Sequence, residues 1–207
     1  MVVIHPKDKT TNMLSILYEG LEHTHIDQSN SKKKICHILN HIPCYERILL
    51  LGHGSDLGLF SRNDDSFDVF DRLIVYHPHA YYLRKHGCNI VGMWCNANLF
   101  AEKERLHGLF TGMIVTEMSE ASLYGINTSQ EELDKENVKL AKRLRSLLDE
   151  NVPLQDISSR ILALYDVHSQ LTDLIIITST IYKIYLNENK ESDIRCLQST
   201  VTSQIMA

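Results

Sequence analysis

The sequence predicts a three-layer α/β/α sandwich with a mainly parallel sheet, followed by C-terminal helices. Three observations predict it. Short continuous apolar runs, above all Ile48–Leu51 and residues 90–94, read as strands buried on both faces. Segments with helical spacing separate those runs, the alternation that builds a parallel sheet covered on both sides. After Gly125 the texture changes to long, charged stretches with apolar residues at helical spacing. The expected organisation is one domain over 1–207, with a core over about 1–125 and a helical extension over about 129–187.

The elements follow in order. Residues 2–5 form a first strand that Pro6 ends. Thr10, Thr11 and Asn12 offer caps to an amphipathic helix carrying Met13, Leu14, Ile16, Leu17 and Leu21. Residues 23–26 are a second short strand. Ser29-Asn30-Ser31 caps a helix with Ile35, Ile38, Leu39 and Ile42 at helical spacing, stopped by Pro43. Residues 47–51 are a central strand ending abruptly in Gly52-His53-Gly54-Ser55-Asp56. Residues 57–60 suggest a hairpin arm, 61–68 a polar loop and 73–76 a strand stopped by Pro78. A helix over 80–85 closes at Gly87, the strand 89–94 delivers Cys95, and a helix over 97–107 closes at Gly108. Residues 112–115 are a further strand, followed by a short helix reaching Tyr124. Residues 129–150 are a long helix, and 156–168 repeat its pattern more weakly. Helix and strand compete over 174–186, and the tail from Asn187 is polar.

Composition excludes several classes. The chain is 43% hydrophobic and 23% charged, ordinary for a folded protein, so whole-chain disorder is excluded. Net charge is −5 and the pI about 6.1, so there is no basic field to attract nucleic acid. The Lys32-Lys33-Lys34 run precedes Ile35, Ile38 and Leu39 and reads as the solvated side of a helix start. The first residues lack a basic segment followed by an apolar one, and the apolar stretch 174–177 is too short to span a bilayer; a cytoplasmic location and no membrane partner are expected. The five cysteines, Cys36, Cys44, Cys88, Cys95 and Cys196, are odd in number and scattered, unlike a disulfide framework or a zinc ribbon.

In parallel sheets functional groups collect at the carboxyl ends of strands. The two best strands end in Gly-His-Gly-Ser and in Cys-Asn-Ala-Asn, so His53 and Cys95 emerge on one rim if those strands are neighbours. An imidazole beside a thiol draws off its proton and later returns it to a leaving group. The amides of Gly54 and Cys95 are candidate donors to an oxyanion. Asn96, and a helix starting near Asn98, would bring positive dipole toward the sulfur.

The pieces ILLLGHGS and NIVGMWCNAN, an apolar strand ending in His-Gly and another ending in Cys about 40 residues on, resemble the caspase-like superfamily of cysteine peptidases. The likeness covers roughly residues 45–125. It implies Cys95 as nucleophile, His53 as acid/base, and the Gly54 and Cys95 amides as oxyanion hole, acting on a peptide or protein substrate without a cofactor. The Gln-Ala-Cys context of caspases is absent; here it is Met-Trp-Cys-Asn-Ala. The segment GLFTGMIVTEMSEASLYGI, with the GHG turn and the Trp-Cys strand end, also resembles small bacterial proteins.

Other readings stand beside this one. A strand-end Cys is most often a small buried hydrophobe. Glu117 and Glu120 are candidates for selecting a basic substrate side chain, or ordinary acids at a helix start. Asp56 either orients His53 or caps a turn. His77, His79, Cys88 and Cys95 lack a standard zinc spacing, so no metal is expected. His23 and His25 alternate on one strand face. Ser55 lacks the Gly-x-Ser-x-Gly context of a serine hydrolase, and no phosphate-binding glycine loop occurs. A non-catalytic interaction or nucleotide-signal-sensing module on the same fold is the alternative.

Overall fold

A computed structural model describes residues 1–62, 70, 72–87, 89–112, 114–123 and 125–163. Expectations for most of the loop 61–68, for Cys88 and Cys196, for 174–186 and for the tail from Asn187 lie outside the described residues.

Five strands form one parallel sheet: β1 (Val2–Ile4), β2 (Thr24–Ile26), β3 (Ile48–Leu51), β7 (Ile90–Met93) and β8 (Leu109–Phe110), in the order β2-β1-β3-β7-β8. Every pairing in it is parallel. The central pair is in register from Ile48↔Ile90 to Leu51↔Met93. Alternate side chains of a strand point to opposite faces, which is why the run ILLL is apolar throughout. Ile48 and Leu50 enter one core with α1 (Lys32–His41), α2 (His77–Leu83) and α3 (Ala97–Glu104). Leu49 and Leu51 enter a second core with a 3-10 helix (Asn12–Leu17), α5 (Gln130–Asp149) and α6 (Leu154–Ala163). The fold is therefore an α/β/α sandwich, and α5 and α6 supply most of one layer.

A second, three-stranded antiparallel sheet holds β4 (Gly54–Ser55), β5 (Gly58–Ser61) and β6 (Arg72–Tyr76). The strand expected near 73–76 thus belongs to this ribbon. Pro78 ends β6 and also opens α2, since its fixed φ and missing N–H suit a first helical turn. The expected strand 112–115 is replaced by β8 at Leu109–Phe110. Just past that strand, Thr111 N–H donates to the Gly92 carbonyl (3.0 Å), and its hydroxyl accepts from Trp94 N–H (3.1 Å) and donates to the Trp94 carbonyl (2.9 Å). The expected helix through Leu21 is the six-residue 3-10 helix; residues i and i+3 align there, which turns Leu14 and Leu17 together into the core. Between β8 and α5 lies α4 (Met118–Leu123), a short helix. Among the described residues no helix is long and apolar enough to cross a membrane.

Candidate active site

His53 and Cys95 leave the same edge of the sheet from adjacent strands. Each lies two residues beyond the paired positions Leu51 and Met93. Gly52 adds one more rung, its N–H donating to the Met93 carbonyl (3.1 Å), and then turns the chain with φ +141°, a value only glycine adopts without strain. His53 follows and is partly buried.

The imidazole is held from the end of the neighbouring strand β1. Its Nε2 is 2.6 Å from Thr10 Oγ1 and 3.5 Å from Asp8 Oδ1. The Thr10 hydroxyl donates to Asp8 Oδ1 at 2.6 Å, and the Thr10 amide donates to the same oxygen at 2.9 Å. A hydroxyl has a single hydrogen, and here it goes to the carboxylate. The contact between Thr10 and His53 must then take its hydrogen from Nε2–H, which leaves Nδ1 as the basic nitrogen. Arg62 Nη2 lies 2.5 Å from Asp8 Oδ2, an ion pair rather than an aligned hydrogen bond. Burial alone would raise the Asp8 pKa; the His53 imidazole beside it and the hydrogen bonds from Thr10 outweigh that and hold this carboxyl well below the usual range. Phe70 lies against the His53 ring (5.0 Å between centroids) and beneath the Arg62 guanidinium (5.2 Å).

Cys95 continues the alternation of Val91 and Met93 toward the α5 face, whereas Trp94 points into the opposite core. The thiol is partly buried and donates to the Ile114 carbonyl at 3.4 Å. Burial pushes its pKa up, the Ile114 contact opposes that, and Glu120 adds to the rise. His53 and Cys95 do not hydrogen-bond to one another in this state. The indole of Trp94 is fully buried and donates to the Ser55 carbonyl (3.0 Å), clamping the ribbon over the strand end. Gly54 lies on that indole: a Cβ built there would overlap Trp94 Cδ1 and the Gly58 carbonyl oxygen. Packing thus requires this glycine independently of any substrate.

The two candidate oxyanion donors are geometrically unengaged. Phe60 N–H donates to the His53 carbonyl (2.7 Å), so His53–Phe60 is a bonded pair of the ribbon. The next pair, Gly54–Leu59, is then a non-bonded one, and the Gly54 N–H points away from β5. The Cys95 N–H has no acceptor among the described residues.

The remaining sequence candidates divide. Asp56 occupies the exposed two-residue turn between β4 and β5, and the carboxylate that reaches His53 is Asp8 instead. Asn96 is exposed and left-handed (φ 64°), its N–H tied to the Gly112 carbonyl (2.6 Å) at the start of α3. Glu120 Oε2 accepts from the amides of Thr116 (2.9 Å) and Glu117 (3.4 Å), the work of an acid at a helix start. Glu117 lines a cleft of about 900 Å³ between the 3-10 helix, residues 116–119 and the first turns of α5; Thr10 lies in its wall. His77 is bonded to Glu104 at 2.9 Å, and His79 is fully buried, its Nδ1 accepting from Tyr76 N–H at 3.2 Å. Among the described residues no three His, Cys, Asp or Glu side chains converge as a metal site would need. His23 and His25 both pack against the Tyr18 ring.

Sequence reasoning missed Asp8, Thr10, Arg62 and Phe70. The signal available was Asp-x-Thr directly after a strand end, a pattern that folds on itself through the Asp side chain. No protein-family model matches the chain, and neither a curated protein nor a solved structure matches it. Function is therefore read from the site itself.

Proposed function

We propose that this chain is a cysteine hydrolase of the caspase-like kind, cleaving a peptide bond with Cys95 as nucleophile and His53 as acid/base. The observation that carries this reading is the register of β3 and β7, which hands an imidazole and a thiol to one edge at equivalent positions. The Asp8–Thr10 pair adds to it by fixing Nε2–H, so that Nδ1 is the nitrogen free to take a proton.

Rotation of Cys95 about χ1 releases Sγ from the Ile114 carbonyl. The thiol proton passes to His53 Nδ1, and the thiolate attacks the scissile carbonyl carbon. The oxyanion is met by the Gly54 and Cys95 amides. The C–N bond breaks as His53 returns the proton to the departing amine, leaving a thioester. Water, deprotonated by Nδ1, then releases the acid and restores the thiol.

A screen of fluorogenic peptides tests this directly. Hydrolysis is expected from the wild-type chain, with a loss of about 10²–10⁴-fold in His53→Ala and none remaining in Cys95→Ala. A folded wild-type protein that cleaves nothing, or a Cys95→Ala variant as active as wild type, would overturn it. One observation favours a non-catalytic module instead: the resting thiol is bonded to a backbone carbonyl and pushed up by burial. That reading expects no hydrolysis from either form.

A further inference from the structure

The 900 Å³ cleft beside Thr10 is separate from the dyad, yet it touches residues on both sides of it. Thr10 in its wall is bonded to His53, and Thr116 follows two residues after Ile114, the acceptor of the Cys95 thiol. Its volume lies at the upper end of the range for small-ligand sites, enough for a few residues of peptide. Met13 and Ile16 give it half-buried apolar surface. Two carboxylates, Glu117 and Asp134, face it against the single ammonium of Lys9. Asp134 is engaged by Gln130 Nε2 at 2.7 Å. Glu117 is half-buried as a residue, and its carboxylate has neither ion pair nor hydrogen bond among the described residues. The Thr116 hydroxyl, in a residue 5% exposed, is likewise without a partner.

We infer that this cleft is the substrate groove of the proposed hydrolase and that Glu117 selects a cationic side chain, arginine or lysine, in the peptide that occupies it. A half-buried carboxylate without a partner favours a cation, and a guanidinium can meet both its oxygens at once. The inference rests on the hydrolase reading for its meaning, but binding alone can test it.

The test uses the full-length Cys95→Ala variant, which binds without turnover. Three capped peptides differing only at one residue, Arg, Gln or Asp, are titrated by isothermal calorimetry. The Arg peptide is expected to bind at least about tenfold more tightly than the Gln peptide, with the Asp peptide weakest. Adding Glu117→Gln should erase the preference, and Glu117→Lys should reverse it toward Asp, a swap that mere loosening of the fold would not give. Asp56→Asn, in the exposed turn away from the cleft, should change nothing. Equal binding of the three peptides, no binding at all, or a preference that survives Glu117→Gln would overturn the inference. The two readings fail separately: selective binding without wild-type cleavage sinks the hydrolase and keeps the groove. Cleavage without charge preference does the opposite.

Discussion

Asp8 is almost fully buried between a histidine and an arginine, and pH acts on it in a definite sense. Its folded pKa is held below the unfolded value, so the folded chain binds fewer protons there. The stabilisation is complete above about pH 4 and is lost as pH falls further. Asp8→Asn is expected to remove this dependence and to cost about 3–5 kcal/mol, because it takes the carboxylate away from a buried guanidinium. Urea unfolding at pH 3 and pH 7 measures both effects. Thr10→Val should leave the shape of the turn but break the relay to the imidazole. The ¹⁵N shifts of His53 are then expected to move from a fixed Nε2–H form toward a mixture of tautomers; unchanged shifts would show that Thr10 does not set the nitrogen.

The ribbon formed by β4, β5 and β6 owes its position to Trp94. Gly54→Ala forces a methyl into the indole and should cost about 1–3 kcal/mol or more by overpacking. A fall in thermal midpoint with a shift in Trp94 fluorescence is the expected signature, since this is the only tryptophan. At α5 the reciprocal cap of Ser129 and Glu132 is complete, and Ser129→Ala should lower stability by about 1 kcal/mol in denaturant unfolding. Helices α1 and α5 were legible because caps, length and apolar spacing all agree in them. Strand β8 was not, since GLFTGMIV offers two apolar pairs and nothing local says which one pairs with β7. The ribbon's separate sheet was also illegible: nothing local to residues 72–76 says which strand they pair with.

Among the described residues, His5 and His79 are buried histidines that resist charging in mild acid. Burial lowers the pKa of His5 to about 4, helped by His25, and that of His79 to about 4, helped by Lys32. Between pH 6.5 and 4 the unfolded chain takes up protons that these two refuse when folded, so stability should fall steadily over that window. His79→Phe, which cannot charge, is expected to flatten part of the slope, as read by thermal melts from pH 7 to 4.5. His53 and Cys95 end the two most apolar strands, so local pattern exposes both. Asp8 and Thr10 come from the segment after β1, more than 40 residues earlier, and Arg62 from beyond the hairpin; the strand order β1-β3-β7 brings them together. The proposed hydrolase requires His53 to draw the proton from Cys95. The most direct measurement is the rate of Cys95 alkylation by iodoacetamide against pH, followed by peptide mapping, in wild type and His53→Ala. The expected result is that Cys95 outpaces Cys36 and Cys44 at pH 7 in wild type, and that in His53→Ala it reacts only well into the alkaline range, as a lone buried thiol would. Cys95 reacting no faster than Cys36 and Cys44, with no change in the variant, would contradict the claim.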